Sequence, residues 1–139
     1  MRHGFGIVSV ALVATLLVAG CGSNDAQTLC SATQMFTLDD ADSRIVATSQ
    51  DIDEVHAATT RYEEKLKNSI ATLRSLKDPE LTEVAGRLAD QEEKLVPILD
   101  KVGNAANPTQ LKTVRLSMPG WSAVFNGIFA DAPDKVTCK

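Results

Sequence analysis

Residues 38–77 read LDDADSRIVATSQDIDEVHAATTRYEEKLKNSIATLRSLK, and the spacing of their apolar side chains decides the fold. Leu38, Ile45, Ile52, Thr59, Leu66 and Leu73 fall every seventh residue. Val55, Tyr62 and Leu76 occupy the second position of the same repeat, with Thr48 and Ser69 as weak members. Apolar residues three and four apart form one stripe of an α-helix, and a stripe sustained this long needs partner helices to cover it. The spacing therefore predicts a helix over 39–77. Asp78-Pro79 stops it and starts the next, because Asp caps a helix and Pro is tolerated in its first turn.

Working outward, Leu81, Val84, Leu88, Gln91, Leu95, Ile98 and Val102 keep the rhythm and predict a second helix over 79–103, ended by Gly103-Asn104. Pro97 lies off the stripe and predicts a bend without a break. Asn107-Pro108 opens a third helix over 108–131, kinked near 119 by Pro119-Gly120. Residues 28–36, with Leu29, Ala32 and Phe36 on one face, make a short fourth. No strand pattern interrupts them. The expectation is an all-α, antiparallel bundle of three to four helices.

Helix 39–77 would be about 58 Å long against about 39 Å for the second, so part of it should fold back. One solution is the extra helix 28–36 with a turn at Thr37–Asp40. The rival is a break at Thr48-Ser49-Gln50-Asp51, which reads as a capping box. The unbroken repeat through Ile45 and Ile52 favours the first.

The chain has 139 residues, 44% of them hydrophobic, 23% charged and 4% aromatic, with a formal net charge of -4. Those values fit one globular domain and exclude a collagen-like, disordered or multi-span membrane chain. An acidic chain also lacks the basic stripe that nucleic acid demands, so no nucleic-acid partner is expected.

Arg2 precedes an uncharged stretch, 4–24, whose apolar core Ile7–Val18 ends in Leu17-Val18-Ala19-Gly20-Cys21. The core is too short to span a bilayer and suits a secretory signal. With small residues just before a cysteine, this segment resembles the bacterial lipoprotein precursors and their lipobox. The resemblance implies a signal peptide over 1–20, cleavage before Cys21, and a diacylglyceryl group on the Cys21 sulfur carrying palmitate-like chains. It places the protein outside the cytoplasm on the plasma membrane, or on the outer membrane of a two-membrane cell. Residues 21–27 then read as a flexible polar tether, and 28–139 as the helical domain. The order of lipobox, tether and helical domain also resembles small actinobacterial envelope lipoproteins.

With Cys21 lipidated, Cys30 and Cys138 remain to pair in an oxidising compartment. Their bridge would close a loop of about 109 residues, nominally about 4.7 kcal/mol of stability.

Chemistry is sparse. His56 is the only histidine beyond the signal, and Asp53 three residues earlier shares its helix face, but a carboxylate-bridged metal site needs two such pairs. Asp39-Asp40-Ala41-Asp42, Asp51–Glu54, Glu63-Glu64 and Glu92-Glu93 read as solvated faces and helix starts. Arg44, Arg61, Arg74, Arg87 and Arg115 avoid the stripe and read as ion-pairing surface residues. No metal, cofactor or catalytic group is expected. Met118, Trp121, Phe125 and Phe129 crowd one helix beside Pro119-Gly120; they belong to the core or line a groove for a partner or apolar ligand. The leading expectation is a membrane-tethered, non-enzymatic module that binds another envelope protein. Second comes a carrier of an apolar ligand or lipid near Trp121 and Phe125, and third a metal-dependent enzyme around His56.

Overall fold

A computed structural model of the protein describes residues 21–130, with side chains from 24 onward. The segment 1–20, read above as a signal, the Cys21 side chain, the tail 131–139 and Cys138 lie outside the described residues. Six helices follow in order: α1 Cys21–Gln34, α2 Ala41–Thr48, α3 Ile52–Arg74, α4 Thr82–Gly103, α5 Pro108–Arg115 and α6 Trp121–Phe129. The described chain is all-helical, as the repeat predicts.

Four helices form the bundle. α3 and α4 are an antiparallel hairpin, packed through Val55, Ala58, Leu66 and Leu73 against Leu88, Leu95, Leu99 and Val102. The approach is close at the far end: a Cβ on Gly103 would sit 3.3 Å from Thr59 Cγ2. α1 runs antiparallel to α3. Its start meets the α3–α4 turn, where Asp25 Oδ2 accepts the Asp78 N–H at 2.9 Å and the Lys77 N–H at 3.3 Å. At its other end Phe36 meets Tyr62 edge-on, ring centroids 6.2 Å apart. α6 lies beside α1 and antiparallel to α4, with Trp121 stacked on Phe36 at 4.0 Å and the Ile128 carbonyl accepting a bond from Arg87. The start of α1 and the end of α6 thus share one pole, which three helices alone would have denied them.

α2 and α5 brace the opposite pole. Asp40 caps α2 through the Ser43 N–H at 2.9 Å, and Asn107 caps α5 through the Gln110 N–H at 2.9 Å. Arg115, at the end of α5, donates to the Val46, Ser49 and Ile45 carbonyls at 2.8, 2.7 and 3.3 Å. It satisfies the carbonyls that α2 leaves open at its C-terminus. Replacing Arg115 by Met should cost about 2–4 kcal/mol, since each orphaned polar group costs about 1–3. Arg115→Lys should recover only part of that, because an ammonium lacks the planar fork. Chemical denaturation of the two variants measures both effects.

Three expectations need correction. The helix over 39–77 breaks at Ser49–Asp51, the solution not favoured above, while the favoured turn at Thr37–Asp40 is present too, between α1 and α2. Asp51 accepts the Asp53 and Glu54 N–H groups, and Ser49 Oγ donates to Glu54 Oε2 at 2.6 Å, so capping restarts the helix without disturbing the sequence repeat. Upstream of the break the repeat no longer marks the core: Leu38 is 58% exposed, Ile45 is half-buried, and Val46 is the buried residue; Ile52, just past the break, is half-buried too. The polar segment 21–27, read as a tether, is the beginning of α1; Ala26 packs on the core and Asp25 ties the backbone down. The short helix therefore runs over 21–34 and not 28–36.

Boundaries elsewhere move little. α3 ends at Arg74, and Asp78–Leu81 is a hydrogen-bonded turn before α4. α4 continues through Pro97, whose ring is exposed. The expected interruption near 119 separates α5 from α6, with Gly120 at the start of α6.

Candidate functional site

The five aromatic side chains of the described residues form one connected series. Tyr62 meets Phe36, Phe36 stacks on Trp121, and Trp121, Phe125 and Phe129 follow at centroid separations of 5.5 and 6.4 Å. One turn of helix separates Trp121 from Phe125 and Phe125 from Phe129, which places all three on the same face of α6. Met118, Trp121, Phe125 and Phe129 are half-buried and pack on the core. The α6 rings therefore point at α1 and line the seam that joins the two ends of the domain. Phe36, absent from the sequence-derived site, is its centre. Its place was visible only as the last of the apolar residues Leu29, Ala32 and Phe36 on one face of the short helix.

A second feature lies deeper. Glu92 is 0% exposed. Ser69 Oγ donates to its Oε1 at 2.9 Å, while Oε2 has no hydrogen-bond partner. Burial pushes the carboxyl up to about 8, against the opposing pull of the Ser69 bond, so it is mostly protonated at neutral pH. A neutral acid is far cheaper to bury than a carboxylate. Ser69 also lines a cleft of ≈ 340 Å³ between α1 and α3, with Ser31, Ala32, Met35 and Leu73. The Glu92-Glu93 pair, read as a solvated face, is therefore split: Glu93 pairs with Arg74 at 2.7 Å on the surface and Glu92 enters the core. The signal was present, since Ala85, Leu88, Glu92, Leu95, Leu99 and Val102 form a better three-four stripe than the one through Gln91 and Ile98. Gln91 and Ile98 are only half-buried.

The remaining titratable candidates hold elements together. His56 Nε2 lies 3.0 Å from the Ala105 carbonyl and so joins the start of α3 to the α4–α5 loop as a donor. The acidic run 39–42 meets cations: Lys65 Nζ lies 2.7 Å from Asp40 and 2.9 Å from Asp42, and Arg61 pairs with Asp42 at 2.8 Å. Burial raises Asp42, but Lys65 and Arg61 more than offset it and hold the carboxyl below its ordinary value. Arg61 and Arg74 form the expected ion pairs. Arg87 and Arg115 do not, and instead hold the backbone carbonyls of α6 and α2. Burial depresses the Arg115 guanidinium below its usual range.

Cys30 is disulfide-bonded. Among the described residues no three His, Cys, Asp or Glu side chains gather as a metal-binding group. None of their helices is long and apolar enough to cross a membrane. No family model, curated protein or solved structure matches the chain.

Proposed function

We propose that this chain is a lipid-anchored envelope protein, held on the outer face of the plasma membrane through Cys21, whose bundle works by binding another envelope protein and not by catalysis. The observation that carries the reading is Leu17-Val18-Ala19-Gly20-Cys21 at the end of an apolar stretch, leading directly into a helix built into the domain. Two acyl chains anchor a protein stably where one does not. The side chains that chemistry would draw on are engaged elsewhere, with His56 on a backbone carbonyl, Asp42 between two cations, and Arg115 clamping α2. That engagement supports a scaffold role. The Cys30 bridge suits an oxidising compartment, and Cys138 is the partner we assign to it.

Intact-mass measurement of the mature protein should show an N-terminus at Cys21 with added diacylglycerol, and Cys21→Ser should move the protein out of the membrane fraction. Crosslinking in whole cells should then recover one consistent partner. An unmodified N-terminus at Met1, or a Cys21→Ser protein that still fractionates with membranes, would overturn the anchor.

The half-buried ring series favours a second reading, a carrier for an apolar ligand. Trp121 is the sole indole, so an unchanged emission spectrum on adding lipids or small apolar molecules removes it.

A further inference from the structure

We infer that one pole of the bundle, made by the start of α1 and the α3–α4 turn, rests against the lipid headgroups, while the α2–α5 pole is held outward. The inference rests on lipidation of Cys21 and adds an orientation to it.

The argument is one of reach. A flexible tether of six residues would have a root-mean-square span of about 13 Å and would let the domain tumble. Residues 22–27 are instead helical, so the chain rises only about 6 Å from Cys21 to Asp25. The Asp25 carboxylate sits on the N–H groups of Lys77 and Asp78. The turn is thereby fixed within about one helical pitch of the acylated residue along the α1 axis. The headgroup layer itself is about 5–8 Å deep. Leu29, buried against Leu73, Leu76 and Leu81, holds the rest of α1 to the same pole.

The opposite pole lies one α3 length away. Its 23 residues span about 35 Å. Leu38, 58% exposed, follows α1 at its outward end, and Leu116, 82% exposed, follows α5. Neither can enter the leaflet with the domain upright, since α1 alone separates Leu38 from the anchor by about 21 Å along its axis. The lipid-facing pole is not basic, so the acyl chains and not anionic headgroups hold it.

Trp121 stacks on Phe36 toward the outward half and serves as a native depth gauge. The mature, acylated protein would be bound to vesicles of phosphatidylcholine bearing a nitroxide on the headgroup, which quenches an indole only at short range. Trp121 emission should be unchanged. A Lys77→Trp protein carrying Trp121→Phe should lose most of its emission, as should Glu83→Trp in that background. A Gly-Ser linker inserted between Ser23 and Asn24 should erase the difference between reporters. Equal quenching of both positions without the linker, or quenching of Trp121 alone, overturns the orientation while leaving the anchor intact. A mature chain that lacks the acyl mass or does not float with vesicles overturns the anchor, and the orientation with it.

Discussion

Raising the pH from about 5 to about 8.5 should strip the native bundle of several kcal/mol of stability that a Glu92→Gln protein keeps. In the unfolded chain this carboxyl ionises near 4.5, and in the fold burial moves it up to about 8. Its stabilising effect is complete below the unfolded value and declines as the pH climbs through the folded one. At about 1.36 kcal/mol per unit the full loss is about 4–5 kcal/mol. Gln preserves the shape and an acceptor for the Ser69 hydroxyl while removing the charge. The two proteins should therefore agree within about 1 kcal/mol in mild acid, where a neutral acid and an amide differ little, and diverge in alkali. Asp42 works in the opposite direction. Its lowered value, set by Lys65 and Arg61 against its burial, contributes stability above the unfolded value that is lost as the pH falls through the folded one. The native optimum should accordingly lie in mild acid. Urea titrations across this range measure the effect; parallel curves for the two proteins would refute it.

Cutting the Cys30 bridge should cost nearly as much. With Cys138 as partner the closed loop holds about 109 residues, and loss of a native disulfide in a small domain costs about 2–5 kcal/mol. For a domain of this size that is a fall in Tm on the order of 10–20 °C. Cys30→Ser and Cys138→Ser should lose the same amount, and the double variant no more than either. A non-reducing digest should join the peptides that hold the two residues. Alkylation of Cys30 in unreduced, folded protein would contradict the pairing, as would single variants of unequal stability.

The helical class and the stops at Asp78, Gly103, Asn107 and Gly120 were legible because each depends on nearby residues. The break at Ser49–Asp51 is hidden in the apolar spacing for a physical reason. A seven-residue apolar count carries on through a cap, since it records spacing and not the backbone dihedrals that Asp51 and Ser49 impose. Glu92 has the phase of a core residue, squarely on the stripe between Leu88 and Leu95, and only its charge suggests a solvated face. The helical start of α1 was out of reach: nothing in Gly22–Gln27 says that Asp25 will find two amides at Lys77 and Asp78, more than fifty residues later. The aromatic face of α6 follows from spacing alone, but its partner Phe36 comes from the turn after α1, some eighty residues earlier, and local periodicity holds no record of it.

The stacking of Trp121 on Phe36 also sets an order of events. Of the described helices, the first finishes its packing against the last, so the bundle stays open along one side until residues near 129 have emerged. A nascent chain truncated before α6 should then carry the Trp121-facing side of Phe36 uncovered, a surface for chaperones and for its own neighbours. Contacts this distant in sequence slow folding, so closure of this seam should be a late step.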